Sequence, residues 1–401
     1  MKTCLSDEKT YASIKDEIYS SFKMIHHKDK LEAIKNRNKD VPVCLQIDLM
    51  NLCQHNCNYC AYRSAGFDIM HQGGKMTFDD KNNLSKDVAF QIIKEAQELG
   101  VKSVEITGGG EPTLAPYFTD LLKATGDLEL AIVTNGQKLL PKMVNAINPE
   151  MIRWIRFSID AMTPDTHKTI HFGGNERYKK KPAQNAFETI IENLKYVVEK
   201  KNEWHKDFRL GVSFDIVREN IHEIEESSAF FKKIGVDNIR YSFTYDINYD
   251  GRLTAEERDE VRYRLEQAKC HDDGRFRVFG WNSRLEDYRS ENNFGFCSYQ
   301  YGTMAISGSG GVFPCCIVKE YKNHEVGNVN IQTLKEILLG SSRKVDFCVM
   351  DCPPCWLKSK NQFFNALVCR KKATQKLLGD EKYKELVTYK SSPDKPHVNY
   401  P

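Results

Sequence analysis

An α/β fold built on parallel strands is what this sequence predicts. Three observations carry the prediction. The chain has 401 residues with 40% apolar side chains, enough for a large core and more than one domain. Short β-branched runs alternate with longer stretches for about two hundred residues. The longer stretches carry an i, i+3, i+4 apolar stripe, as helices packed on a sheet require. In order, residues 8–36 place Tyr11, Ile14, Ile18, Phe22 and Ile25 among charges, which predicts an amphipathic leading helix. Strands are expected at 42–51, 101–107, 128–134, 152–160, 208–217 and 236–243, each followed by a helical stretch. Examples are residues 183–200 and residues 254–269, the latter opening with a Thr254–Glu257 capping box. Successive β-α units imply parallel strands joined by right-handed crossovers, in an open doubly wound sheet or a barrel. Periodicity leaves both open.

Past Cys270 the alternation stops. Residues 271–290, "HDDGRFRVFGWNSRLEDYRS", read as a charged, irregular linker, and seven of the thirteen cysteines follow between 297 and 369. The expected division is a helical segment at 1–40, an α/β domain at 41–270, a linker at 271–292, a small cysteine-rich domain at 293–369, and a C-terminal helix and tail at 370–401. The tail "SSPDKPHVNYP" reads as extended. There is no internal repeat. A formal charge of +3 creates no global field toward nucleic acid or membranes. The N-terminus lacks an apolar signal region, and no apolar run approaches a membrane span, so the expected location is cytoplasmic. In a reducing compartment, clustered cysteines point to metal or redox chemistry rather than disulfides.

The stretch "CQHNCNYC" places Cys53, Cys57 and Cys60 just after the first expected strand. Three thiolates can hold three irons of a cubane cluster and leave the fourth open to a small ligand. Structural zinc wants four closed ligands, and only His55 is near in sequence. Unliganded buried thiols do not explain three cysteines in eight polar residues. Cys-x3-Cys-x2-Cys with an aromatic, Tyr59, before the last cysteine resembles the signature of the radical S-adenosylmethionine (radical SAM) enzymes. Downstream, "TGGGEPTL" is similar to the family's Gly-Gly-Glu-Pro motif, here Gly109, Gly110, Glu111 and Pro112. A glycine-rich strand end alone would be weak evidence; its place after the triplet strengthens it.

The resemblance implies a partial (β/α)6 TIM-like barrel over 41–270, a 4Fe-4S cluster on the triplet, and S-adenosylmethionine as cofactor. The Gly-Gly-Glu-Pro turn would then meet the methionine ammonium through Glu111 or adjacent carbonyls. Asn135 in "VTNG", Ser158 and Asp160 in "FSIDA", and Ser213 would be further cofactor contacts, with Ser158 at the ribose or methionine carboxylate. Asp160 reads equally well as a turn or helix cap. The long insertion at 64–80 is expected to cover the site. The basic stretch at 167–181 reads as a solvated face, or as His171 and Arg177 meeting an anionic substrate.

In "CSYQYGTMAISGSGGVFPCC", Cys297 and Cys315 flank Gly310, and "CVMDCPPC" follows. This resembles a SPASM or twitch module, an auxiliary-cluster domain found after radical SAM barrels. It implies an auxiliary 4Fe-4S cluster on Cys297, Cys315, Cys352 and Cys355, against a zinc ribbon on the same four. Cys316, Cys348, Cys369, Cys270, Cys44 and Cys4 are then extra. The implied chemistry is a 5'-deoxyadenosyl radical that removes a hydrogen atom from a substrate. The auxiliary cluster favours a two-electron oxidation, whereas a thiol donor, Cys270 or Cys316, would give epimerisation. The first forty residues look short for a leader-binding module, so a small molecule (sugar, aminocyclitol, nucleotide or amino acid) is expected over a ribosomal peptide. An electron donor such as flavodoxin or ferredoxin is expected. The alternative of another class is a non-catalytic iron-sulfur or zinc protein, which has no need of a methionine-binding turn.

Overall fold

The protein is described by a computed structural model covering residues 23–63, 76–174, 176–204, 207–243, 253–280, 294–345 and 357–369, with isolated positions between 292 and 384 and the closing residues 397–401. Its centre is a sheet in which β1 (Cys44–Asp48), β2 (Ser103–Thr107), β3 (Glu129–Thr134), β4 (Ile152–Ser158), β5 (Arg209–Ile216) and β6 (Asn238–Phe243) run parallel in sequence order. All six fall inside the expected segments. Successive side chains alternate across the sheet. Leu45, Ile47, Val104, Ile106, Ile132, Ile155, Phe157, Val212, Phe214 and Ile239 enter the main core under the helices. On the alternate positions stand Gln46, Glu105, Arg156, Ser158, Ser213 and Arg240, which line the inner face.

The helix over Ala186–Lys201 buries Phe187, Ile190, Ile191, Leu194 and Val197, the stripe expected of it. The helix over Ala255–Lys269 opens with the predicted capping box, Glu257 N–H donating to Thr254 Oγ1 at 3.2 Å and Thr254 N–H to Glu257 Oε2 at 2.7 Å.

Two features depart from the sequence reading. Within the expected linker, β7 (Arg277–Gly280) pairs parallel with β6. Four residues with only Val278 buried are too few to show a period, and Asp272 fixes the strand by accepting from Val278 N–H and Arg277 Nε. At the other edge, β8 (Thr303–Ile306) pairs parallel with β1 and turns back through β9 (Gly311–Phe313) to β10 (Gly327–Asn328). The cysteine-rich region therefore continues the barrel's own sheet. Among the described residues the sheet is not closed, with β10 and β7 at its edges. The fold is a partial (β/α)6 barrel with an added C-terminal module.

Of the tail, residues 397–401 are described, and they form a largely buried turn rather than an extended segment. Tyr400 packs edge-on against Trp154 at 5.6 Å, beside Cys44 and Ala131, and its carbonyl accepts from Lys23 Nζ at 2.9 Å. Asn399 O accepts from Ser103 Oγ, so residues 397–401 plug the end where the strands begin. The leading helix is seen as Lys28–Asn36 after a 3-10 turn at Lys23–His26 that buries Ile25; Tyr11, Ile14, Ile18 and Phe22 lie outside the described residues. Of the 64–80 insertion, residues 76–80 are described. Met76 bridges to Tyr321, and Thr77 N–H donates to Glu320 O. No described helix is long and apolar enough to cross a membrane.

Candidate active site

The cysteine loop leaves the C-terminal end of β1 and is sewn down from two sides. Gly110 N–H donates to Met50 O and Glu111 N–H to Leu52 O, both at 2.9 Å. A Cβ on Gly110 would come within 2.1 Å of Leu52 O, so glycine is required where this turn meets the cysteine loop. From the other side, the helix over Pro164–Phe172 accepts Asn58 N–H at Ile170 O and Asn56 N–H at His171 O. Gly174 closes that contact; its Cβ would lie 2.6 Å from Cys57 O.

Within this frame Cys53, Cys57 and Cys60 converge. Burial, then the Glu111 carboxylate, pushes the Cys53 thiol up to about 12. Burial, then Cys60 and Cys53, pushes Cys57 well above the usual thiol range. Thiols held this way become thiolates only when a shared cation compensates them, which is what bound iron does. Among the described residues, the His55, Cys57 and His171 ligand atoms lie within 4.8 Å of one another. Three cysteines within residues 53–60, without a fourth, are a donor set that fits a cubane cluster with one iron left open.

The strand-end residues are brought to this loop. Glu111 is buried and fully engaged: Oε1 accepts from Thr113 N–H, Thr113 Oγ1 and Thr134 Oγ1, and Oε2 from Asn135 N–H. Burial raises its carboxyl against the pull of those bonds. It ties β2 to β3. Pro112 starts the 3-10 turn after it. Asn135 grips the cysteine loop, its Nδ2 3.7 Å from Cys53 Sγ and its Oδ1 accepting from Gln54 Nε2. Ser158 and Ser213 stand opposite each other in the β4–β5 register, with Ser213 Oγ accepting from Arg240 Nη2.

Asp160 is a hub. Tyr59 O–H and Asp215 N–H donate to its carboxylate, and Asn220 Nδ2 to its carbonyl. Burial and then Asp215 raise its carboxyl well above the usual range. Sequence reading missed His171 as part of this hub. Its Nδ1 lies 3.1 Å from Cys57 Sγ and its Nε2 3.5 Å from Asp160 Oδ2. The signal was present in "HKTIH", where His167 and His171 share a helix face at i, i+4. Burial keeps His55 and His167 neutral, lowering them to about 4 and about 3.

A second set of thiols lies beside β9. Cys297, Cys315 and Cys355 are buried, and Cys316 and Cys352 pack with them. Gly310, at φ +87°, turns the hairpin that delivers Cys315. Asn292 Nδ2 donates to the carbonyls of Val349, Cys352 and Pro353, and its Oδ1 accepts from Cys355 N–H. Burial, then Cys316, raises Cys315 well above the thiol range. Cys348 and the Cys369 side chain lie outside the described residues, as does Cys4. Cys270, expected as a possible hydrogen donor, is instead exposed at the C-cap of Ala255–Lys269, with Sγ 3.6 Å from Glu266 O. A thiol in open solvent on the helix layer cannot serve a water-excluding site. The two thiol groups are joined by the buried Lys319–Asp48 ion pair at 2.6 Å, and by Glu320, which accepts from Asn51 Nδ2 and Ser309 Oγ.

A radical SAM superfamily model matches residues 47–230, and a SPASM model, described as an iron-sulfur cluster-binding domain, matches 297–371. An S-adenosylmethionine-dependent nucleotide dehydratase of Flammeovirga pacifica is 25% identical over 195 residues, 48% of this chain and 60% of that protein. A GTP 3',8-cyclase of Alkaliphilus oremlandii is 29% identical over 135 residues, 33% of this chain and 39% of that protein. The chain thus spans less than two thirds of either relative. Among solved structures, Streptococcus suis SuiB bound to S-adenosylmethionine aligns with a TM-score of 0.56 at 16% identity, covering 81% of this chain and 76% of that one. The structure of anSMEcpe with bound AdoMet aligns at 0.53 and 16%, covering 90% of each. At that identity the likeness is one of fold.

Proposed function

We propose, for a chain that belongs to the radical SAM superfamily and carries a SPASM-type iron-sulfur domain, a reductive cleavage of S-adenosylmethionine coupled to oxidation of a small molecule. The observation that carries this is the separation of two thiol sets, a half-buried one at the end of β1 and a largely buried one beside β9, joined by Asp48 and Lys319. When bound, the cluster and S-adenosylmethionine supply a 5'-deoxyadenosyl radical able to remove a hydrogen atom from an unactivated carbon.

The chain's own residues do the rest. Cys53, Cys57 and Cys60 would hold the cluster. The backbone of Gly109 and Gly110 would meet the methionine ammonium, and Ser158 and Ser213 would contact the remainder of the cofactor. Tyr59, Asn135, Glu111 and Asp160 fix the loop that carries the ligands. The inner face offers Arg240 and Ser213, joined by an Arg240 Nη2–Ser213 Oγ hydrogen bond, to a polar, anionic substrate. A nucleotide suits those groups, and both relatives named above have nucleotide substrates in their names. Cys297, Cys315, Cys352 and Cys355 would hold an auxiliary cluster, which would supply the acceptor for one electron of a substrate that loses a hydrogen atom, an electron and a proton. A flavodoxin- or ferredoxin-type donor supplies the initiating electron.

A second reading, epimerisation by return of a hydrogen atom from Cys316, is supported by that thiol's half-buried place beside the ligand set and close enough to Tyr62 to influence its hydroxyl. The test is 5'-deoxyadenosine release by anaerobic, reduced protein. The account expects release above a Cys57→Ala control, and equal background in both would refute it.

A further inference from the structure

We infer that His171 is a positioning residue that hydrogen-bonds the Cys57 ligand and raises the reduction potential of the cluster on Cys53, Cys57 and Cys60. The inference rests on the reading of those thiols given above. His171 Nδ1 is 3.1 Å from Cys57 Sγ, and the histidine ring is buried. The helical turn that carries His171 also accepts the Asn56 and Asn58 amides through His171 O and Ile170 O, so the backbone on both sides of Cys57 is fastened to it. The start of the same helix is capped by Thr163 Oγ1 accepting from Thr166 N–H.

The ring itself is wedged. Its centroid lies 4.4 Å from that of His167 and 5.2 Å from that of His55, and its Nε2 faces Asp160 Oδ2 at 3.5 Å. Asp160 is held in turn by Tyr59 O–H and Asp215 N–H. Tyr59 sits one residue before Cys60, so the hub spans two of the three ligand positions.

A thiolate on iron has no proton to give, so in the loaded protein this contact is attractive with Nδ1–H as donor. A hydrogen bond to a ligating sulfur draws charge from the cluster and favours its reduced, more negative state. His171 therefore makes the first electron easier to deliver. Removing its N–H while keeping the ring's bulk should move the potential negative without costing iron.

The experiment uses anaerobically reconstituted full-length protein as wild type, His171→Phe and His171→Asn. Asparagine returns an N–H close to the Nδ1 position. An EPR-monitored redox titration follows the reduced-cluster signal that changes on adding S-adenosylmethionine, with iron and sulfide measured on each sample. The expected result is a more negative midpoint in His171→Phe at unchanged iron, with recovery toward wild type in His171→Asn. Identical midpoints in all three, at full iron, would overturn the inference.

A second measurement needs no variant. Pulsed EPR on reduced wild type labelled with 15N-histidine should show a coupled nitrogen and an exchangeable proton at that signal, and their absence would overturn the inference even if His171→Phe fails to hold iron. Failure of the underlying reading looks different: wild type whose iron content is untouched by a Cys53, Cys57, Cys60 triple alanine substitution, or which binds zinc at His55, Cys57 and His171 in place of a cluster.

Discussion

Glu111 shows how a motif residue can be legible while its work is not. Its motif is evident from "GGGEP", and a carboxylate at a strand end reads as a cofactor contact. The side chain instead satisfies four donors on Thr113, Thr134 and Asn135, and the glycines before it admit the cysteine loop. The partners on Thr134 and Asn135, more than twenty residues away, leave no trace in local pattern. Glu111→Gln turns one acceptor oxygen into a donor facing N–H and O–H groups, and should cost roughly 1–3 kcal/mol of stability. The denaturant midpoint of the variant checks this, and an unchanged midpoint would mean the four bonds are dispensable. His171 was legible only as an i, i+4 histidine on a basic stretch; its partner Cys57 stands 114 residues earlier.

At the scale of elements, long periodic segments were readable and short ones were not. The six central strands and the capped helix over Ala255–Lys269 carry enough apolar alternation or cap chemistry to declare themselves. β7 has one buried residue, and the tail's polar composition hides that its last residues pack against Trp154. Tyr400→Ala should cost roughly 3–5 kcal/mol, as other buried aromatic truncations do. Equal thermal midpoints for variant and wild type would show that the plug is not part of the stable core.

Beside the plug, burial, then Lys360 and Arg156, lowers Lys23 from its ordinary value of 10.5 to about 7. The folded value lies below the unfolded one, so the unfolded chain binds the extra proton between those values. Stability then rises with pH across that window, and the burial penalty is complete below pH 7. Wild type should accordingly gain stability relative to Lys23→Met as pH rises from about 7 toward 10. Urea midpoints of the pair measure it, and a constant difference would show that Lys23 keeps its proton in the folded chain.

The whole molecule is one sheet from the cysteine-rich module to β7, a continuity the sequence conceals because β8 joins β1 across more than 250 residues of chain. The resemblance to radical SAM enzymes and the second thiol set were both legible from spacing. Their mechanical union through Asp48 and Lys319 was not, because a lone aspartate and a lone lysine are unremarkable until folded together. Lys319→Ala leaves Asp48 buried and unpaired, and should cost roughly 3–5 kcal/mol, with much of the loss recovered in Lys319→Met combined with Asp48→Leu. A single variant as stable as wild type would show that the pair does not hold the module to the barrel.

The central claim is that two independent clusters occupy this one sheet. It is tested most directly by anaerobic iron and sulfide quantification on reconstituted wild type beside the Cys53→Ala, Cys57→Ala, Cys60→Ala triple variant. The account predicts a loss of about four irons with at least about four retained at the C-terminal thiols. Unchanged iron in the triple variant, or loss of all of it, would contradict the account.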